Sequence, residues 1–554
     1  MTVRFRWAVA ALAVLLAALA TAVPAGAQTA TAAPGSSTAA SPTQQTLAGG
    51  LVRPGRTDVA PAGRTRSATQ VLAITDRVPK VRKAVREHPG STREAFLKDP
   101  GRWQVSYIVD KDGDRTEIAQ VLVDDLSGAV LEVWTGYQVP WTMARGYPGA
   151  FGRAVNSPWV WIPLCILFVA PFIDVRNPWR MLHLDLLVLT GFSVALAFFN
   201  AAKVGISTPF VVPLLVYLLA RMLQLGWSRR EPSEQARRPL PLLVPVSWLA
   251  IAAVFLLGFR IGLNITDSNV IDVGYAGVIG ADHLTHGEAI YGDFPSDNEH
   301  GDTYGPVTYL TYVPFEQVLP WSGTWDDLPA AHAAALVFDL AVVLLLYALG
   351  RRMRGPRTGV VLAYAWLAFP FSLFAANTNA NDALPVALVL GALLAWGNPW
   401  GRGVLIALAG FTKFAPLALV PLFARARGIG QFAIAFIATA VVVSIPIFLF
   451  GGSLREFWDA TLGYQADRAS PFSIYGLWGG LDWLHTIVQA GAVALGIAVA
   501  FVPRRRDLVG TAALAAAVLV AVQLSLTYWF FLYVAWIAPL VFIALLCREG
   551  EPAR

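Results

Sequence analysis

Long apolar runs separated by short polar stretches fill most of this chain of 554 residues. From about residue 159 onward the runs are about 18 to 22 residues long, the length at which a helix crosses a hydrocarbon core of about 30 Å. They predict about eleven spans, at 159–175, 181–200, 206–225, 240–262, 329–350, 358–376, 382–397, 429–450, 482–502, 508–526 and 527–547. The first three, within 159–239, stand ahead of a block running from 240 to 547. The pattern is interrupted once at length, between 263 and 328, where carboxylates, glycines and aromatics replace the apolar run. Ahead of the spans, Arg4 and Arg6 precede an apolar run and Ala25-Gly26-Ala27, the makings of a signal peptide over 1–27. Residues 28–68 are rich in Ala, Pro, Ser and Thr and read as a disordered linker. Over 69–140 the period changes. A helix carrying Val78, Val81 and Val85 ends near His88-Pro89-Gly90, and strands WQVSYIV, EIAQVLVD and GAVLEVW follow, separated by polar turns. The prediction is an all-α polytopic membrane protein with a small extracytoplasmic α+β domain.

Charge supports this layout and orients it. With 56% hydrophobic and 14% charged residues and a mean hydropathy of +0.55, the chain lies far from soluble composition. The net charge of +6 reflects arginines between spans (Arg176 and Arg180; Arg229, Arg230, Arg237 and Arg238; Arg351, Arg352, Arg354 and Arg357; Arg504 to Arg506). If residues 28–158 lie outside, all these clusters fall inside, as the positive-inside rule requires. The charge thus reports topology, and a nucleic-acid partner is not implied. The acidic loop then lies outside and the C-terminus inside, in a plasma membrane; high Ala, Gly and Arg usage is compatible with a high-GC bacterium. Cys165 and Cys547 sit in apolar segments near opposite ends and imply no disulfide or metal site.

One segment resists simple counting. Residues 404–423 are long enough to span, yet Arg402 precedes them and Arg425 and Arg427 follow. A single span would invert every later loop. Two half-helices broken at Phe411-Thr412-Lys413, entering and leaving on one side, restore parity. Lys413 then sits at membrane depth with a partner, or snorkels to an interface from a tilted helix.

No Walker loop, dinucleotide fingerprint, H-E-x-x-H or G-x-S-x-G occurs, and few ionisable residues (Asp185, Asp339, Lys413) lie in the spans. The carboxylates crowd instead into 263–328. An enzyme working there without nucleotide must draw an activated substrate from the membrane, and a lipid-phosphate-linked sugar meets that need. A carboxylate would deprotonate the acceptor hydroxyl while a cation meets the departing phosphate. Asp272, just beyond a span, suits the base, and Lys413 and Arg468 suit the phosphate. Tyr304, Tyr309, Tyr312, Trp321 and Trp325 either stack on sugar rings or form an interfacial belt. The polar knot Ala376 to Asp382 either contacts substrate, through Asn379 and Asp382, or is a capping turn in which Asn381 or Asp382 caps the next helix. Asp293, Asp297, His300 and Asp302 either bind a divalent cation such as Mg or Mn, or form a solvated acidic turn. A transporter or scaffold with a sensing head is the competing reading.

Two resemblances sharpen this. VLVDDLSGAVLEVW resembles a PepSY domain, a non-catalytic module, which implies a binding or regulatory role for 69–140. IDVGYAGVIGADHLTHGEAIYG, then TYGPVTYLTYVPFE, resemble the first outer loop of GT-C superfamily membrane glycosyltransferases, notably polyprenol-phosphate-mannose-dependent ones. NTNANDALPVALVLGALLAW and LIALAGFTKFAPLALVPLF resemble later segments of that family. On this resemblance Asp272 takes the catalytic position, Gly287 and Tyr291 match a helix end, Tyr304-Gly305-Pro306 matches a Tyr-Pro element, and Lys413 to Pro416 a Lys-x-x-Pro element. It implies transfer of a hexose or pentose, mannose foremost, from a polyprenyl-phosphate donor to a cell-envelope glycan or lipid. Tyr291, Tyr304, Asn379, Asp382, Lys413 and Arg468 are the expected substrate contacts.

Overall fold

A computed structural model describes residues 46–47, 51–99, 101–111, 114–146, 151–227, 240–325, 328–468, 470–503 and 507–547. The signal peptide expected over 1–27, and the arginines at 229, 230, 237, 238 and 504–506, lie outside them. The chain divides into two compact units, one spanning 24–147 with 200–203, the other holding the rest.

The smaller unit is an antiparallel meander. Strands Leu51–Val52, Thr92–Lys98, Arg102–Lys111, Asp114–Asp124 and Val130–Thr135 pair in sequential order. Two helices, Ala68–Thr75 and Pro79–Glu87, supply Val71, Val81 and Ala84 to the core formed with Trp103, Val105, Tyr107, Val121 and Val123. Ser67 and Gln70 form a capping box that starts the first helix, and Pro79 at the first position starts the second. The three expected strands are present, but Thr92–Lys98 is an additional one. Its Arg93, Glu94 and Lys98 hide the inward-facing Ala95 and Leu97. The linker expected to reach residue 68 is also shorter. Leu51–Val52 joins the sheet, and the buried Asp125 carboxylate accepts the backbone N–H of Thr65 (2.6 Å) and Arg66 (3.1 Å) and Trp103 Nε1 (2.8 Å).

The larger unit is a helical bundle and carries the features of a multi-pass membrane protein. Five of its described helices are long and apolar enough to cross a bilayer: Met181–Asn200, Val204–Trp227, Val246–Thr266, Pro329–Arg354 and Ile429–Gly451. Pro356–Ala368 and Pro370–Asn377 form a sixth if taken as one span, bent by 60° at Phe369. The other expected spans are shorter helices, because prolines and polar residues cut the apolar runs. Pro158–Val169 tightens at Ala170-Pro171, Ala383–Leu394 follows the asparagine knot, and Val534–Leu546 begins only after the Ser525 to Tyr533 turn. Twelve helical residues reach about 18 Å, short of a hydrocarbon core of about 30 Å.

The segment 399–427 is a hairpin, as parity demands. Pro399–Thr412 ascends, Lys413 breaks the helix, and Ala415–Leu419 with Val420–Ala424 returns. Arg402 Nη2 donates to Arg427 O at 2.9 Å, so both ends of the hairpin meet. Around them other arginines hold helix ends: Arg425 donates to Val499 O (2.9 Å) and Pro503 O (3.0 Å), Arg354 to Cys547 O (3.2 Å), and Arg352 to Leu394 O. Cations favour helix C-termini, where carbonyls are unpaired. The opposite end of the hairpin is its tip at Thr412, whose carbonyl accepts from Gly305 N (3.2 Å) and Thr308 Oγ1 (2.8 Å) of the acidic loop. Arginine-rich turns and acidic loop therefore stand at opposite ends of this element.

Replacing Asp125 by Ala leaves three donors without an acceptor and should destabilise the smaller unit by about 2 kcal/mol. Faster hydrogen exchange in its sheet amides, with the bundle unchanged, is the expected result.

Candidate functional site

The acidic loop is built around two helices. Asp272–His286 ends at Gly287, whose φ of +78° places it in the left-handed region that glycine enters without strain. Pro306–Val318 starts with proline at its first position. The two pack closely because Gly277 and Gly280 present no Cβ to the rings of Tyr312 and Tyr309. Between them Tyr291 OH donates to Tyr304 O (3.0 Å), and Tyr309 OH donates to Gly301 O (2.9 Å), fixing the approach to Tyr304. Gly305 lies so near the Phe411 carbonyl that any Cβ would collide with it. That close approach brings Tyr304 beside the hairpin tip.

At the tip is a buried ion pair. Lys413 Nζ donates to Asp382 Oδ1 at 2.7 Å, and Trp536 Nε1 donates to the same oxygen at 2.6 Å. Asp382 is fully buried and Lys413 is 8% exposed. The Lys413 ammonium also lies 5.5 Å from the Tyr304 ring centre and 5.2 Å from that of Trp536, within cation–π range. Asp382 Oδ2 is buried with no hydrogen-bond partner among the described residues. A small apolar pocket lined by Pro385, Val386, Pro416, Leu519 and Trp536 borders Lys413.

Asp272 opens its helix beside this pair. Its side chain is accessible to solvent, yet protein surrounds it, so it stands in a recess. Desolvation raises its pKa above the usual carboxylate range. The Val273 N–H, Arg468 and Lys413 act against that, and the Asp382 charge reinforces it. Arg468 reaches the same recess from the segment 452–480. Its guanidinium lies 3.8 Å from the Tyr528 ring centre and 5.4 Å from that of Tyr464, held between two aromatic faces. Tyr304, half-buried, faces the charges of Asp272, Asp382 and Arg468, with Tyr533 adjacent, and burial raises its hydroxyl pKa. The arrangement joins a solvated carboxylate, a fixed guanidinium and several phenols in a single recess.

The expected site residues fare differently. Asp272, Tyr304, Lys413, Asp382 and Arg468 come together. Tyr291 is almost wholly buried, and its hydroxyl holds the Tyr304 backbone instead of facing the recess. Asn379 is fully buried and directs its amide to Asn264, Ser268 and Asn269. The four expected metal ligands do not converge. Asp302 accepts from Gly292 N (2.9 Å), Asp297 from Tyr275 OH (3.4 Å), the His300 ring packs on Tyr464 at 4.5 Å, and Asp293 points to solvent. Among the described residues no three His, Cys, Asp or Glu are grouped to hold a metal. Tyr309 and Tyr312 are wholly buried, and Trp325 tilts over Tyr275 at 4.7 Å. Tyr528, Tyr533 and Trp536 also reach the site, although the sequence pattern places them inside the span expected over 527–547. The cluster Ser525-Leu526-Thr527-Tyr528, three hydroxyls in an apolar run, was the available sign of a turn.

Residues 303–529 match the family model of Glycosyltransferase family 87. That stretch takes in Tyr304, Asn379, Asp382, Lys413 and Arg468, while Asp272 and the smaller unit lie outside it. No curated protein matches this chain. Among solved structures, ArnT from Cupriavidus metallidurans bound to undecaprenyl phosphate is similar over 55% of this chain and 60% of its own, at 15% identity and a TM-score of 0.38. This chain thus spans less than two thirds of that structure.

Replacing Lys413 by Met leaves the buried Asp382 carboxylate without its cation and should cost about 3–5 kcal/mol of stability. Adding Asp382→Asn removes the charge and should recover most of the lost melting temperature, which a thermal-shift double-mutant cycle measures.

Proposed function

We propose that the chain is a membrane glycosyltransferase that moves a sugar from a polyprenyl-phosphate donor to a cell-envelope glycan or lipid on the outer face. The observation that carries this reading is the charge cluster at the recess, where the Asp272 carboxylate lies in the field of Arg468, Lys413 and Asp382. The match to Glycosyltransferase family 87 supports glycosyl transfer as the reaction class. A donor with a phosphate head suits the cations gathered beside Asp272, and its isoprenoid tail would stay in the surrounding bilayer. Placing the arginine-rich turns inside by the positive-inside rule leaves the acidic loop outside.

In the reaction Asp272 accepts the proton of the acceptor hydroxyl as that oxygen bonds to the anomeric carbon of the sugar. The bond from this carbon to the phosphate oxygen breaks, and the electron pair leaves with the polyprenyl phosphate. The fixed Arg468 guanidinium stabilises the charge that develops there. Asp272 then releases its proton to water. Lys413 serves the same phosphate with the donors that Asp382 does not use, since an ammonium has three. The donor set of the acidic loop does not fit a divalent cation, and no step is assigned to one. For the smaller unit we propose only a binding or regulatory role.

Asp272→Asn should abolish transfer from radiolabelled polyprenyl-phosphate mannose in membranes while leaving the melting temperature unchanged. An active variant would remove Asp272 from the mechanism. No transfer by the native chain across several prenyl-linked sugars and envelope acceptors would remove the reaction. The pH profile gives a second test. Asp272 works ionised and its pKa is raised, so activity should fall on acidification at a pH above the ordinary carboxylate value of about 4. An acid limb at or below that value would contradict the assignment.

A further inference from the structure

The segment that delivers Asp272 is bound, residue after residue, to the asparagine knot at the end of the bent span. Asn264, on Val246–Thr266, is 1% exposed and donates to Ala376 O and Asn379 Oδ1, both at 2.8 Å. The Asp267 carbonyl accepts from Asn377 Nδ2 at 3.0 Å. Asn269 N donates to Asn377 O at 3.2 Å and Ile271 N to Thr378 O at 3.1 Å. Asn379 Nδ2 donates to Ser268 Oγ at 3.1 Å and to Asn269 O at 3.0 Å. On the far side of Asp272, Gly274 lies against the Asn379 carbonyl, where any Cβ would collide.

Asn379 therefore holds the chain both before and after Asp272. Its two amide hydrogens and its side-chain oxygen are all engaged, and it is fully buried. Its φ of +50° is in the left-handed region, which asparagine tolerates better than other side chains of its size. The helix beginning at Asp272 has no side-chain cap, so the direction of its first residue follows from what the preceding residues bind.

We propose that Asn379 is a positioning residue for Asp272, setting the place of that carboxylate through Ser268, Asn269 and Gly274 while touching no substrate. The proposal rests on the role given to Asp272 above. It replaces a substrate contact, the natural reading of an asparagine-rich turn, with a grip on the backbone. A carboxylate at position 379 would keep the shape but lose both donors, leaving its oxygens against Asn269 O. Glycine would keep the backbone conformation and lose every side-chain bond.

The test uses the full chain in membranes or detergent, with Asn379→Gly and, from the opposite side, Gly274→Ala. Hydrogen exchange is read over residues 264–276 beside transfer kinetics. In Asn379→Gly the Asn269 and Ile271 amides should exchange at least about tenfold faster, with distant helices unchanged. A base displaced by about 1 Å should lower kcat by about 10–100-fold while the donor KM stays within about threefold. Gly274→Ala should show the same split, which keeps the proposal testable should Asn379→Gly fail to fold. A raised donor KM at unchanged kcat would make Asn379 a substrate contact and overturn the proposal, as would unchanged exchange over 264–276. If the native chain transfers no sugar, the function proposed above fails, and exchange alone still decides whether Asn379 holds this segment.

Discussion

The Lys413–Asp382 ion pair is the constraint from which the arrangement of the site follows. Taking two charges out of water costs several kcal/mol each, and their attraction offsets this only in good geometry with further hydrogen bonds. The bond of 2.7 Å, the second donor from Trp536 and the flanking Tyr304 ring meet that condition. The pair also ties together three segments far apart in sequence: the asparagine knot, the hairpin tip and the last helix. A hairpin that turned elsewhere would bury an unpaired ammonium, so the charge sets where the helix breaks. The same break leaves the Thr412 carbonyl free to accept Gly305 and Thr308, and this brings the acidic loop down onto the bundle.

Charge pairing also separates the roles around the recess. Four ionised groups lie near one another, two of each sign: Asp272, Asp382, Lys413 and Arg468. Lys413 is paired with Asp382 at 2.7 Å, while Arg468 and Asp272 come to the recess from two different loops. The Arg468 guanidinium packs on the rings of Tyr528 and Tyr464. Its segment is in turn anchored to the acidic loop. Phe457 joins Ile290, Tyr291, Tyr309 and Ile447 in one buried cluster, and Tyr464 packs on His300. Two loops separated by more than a hundred residues thus form the walls of one recess through apolar contact.

Much of this was legible in the chain, for identifiable reasons. Basic residues on both sides of 404–423 demanded a hairpin by parity alone, and the structure has one, broken at Lys413. An intramembrane lysine demanded a partner, and Asp382 is that partner. Other features were not legible. The acidic residues 293, 297 and 302 and His300 read as a ligand set because spacing cannot reveal that each side chain turns to a different neighbour. Asn379 read as a substrate contact because its engagement with Ser268 and Asn269 is long-range. Thr92–Lys98, with charges at 93, 94 and 98, offers only Ala95 to Leu97 as an apolar strand signal. The tyrosines at 528 and 533 vanished into an apolar window that averaged over a turn.

The bent span shows why such a site requires broken helices. At Phe369-Pro370 the helix loses its next backbone donor, and the Trp366 carbonyl accepts instead from the Phe369 N–H (3.2 Å) and the Ser372 hydroxyl. Arg260, 1% exposed, adds donors to the carbonyls of Trp366 and Leu367 (3.3 and 3.1 Å) and to Ser372 Oγ (2.9 Å). Asp339 balances that guanidinium at 2.6 Å and also accepts from Trp366 Nε1 at 2.8 Å. One buried pair thus makes the 60° bend tolerable, and the bend carries the asparagine knot to the level of the hairpin tip. Arg260 lies one turn before Asn264 on the same helix, and the short segment after that helix leads to Asp272. Replacement of the bend by a straight helix would satisfy the backbone more cheaply, but it would carry Asp382 away from Lys413 and the knot away from Asp272. The two buried ion pairs therefore act in series, the first permitting the break and the second using it.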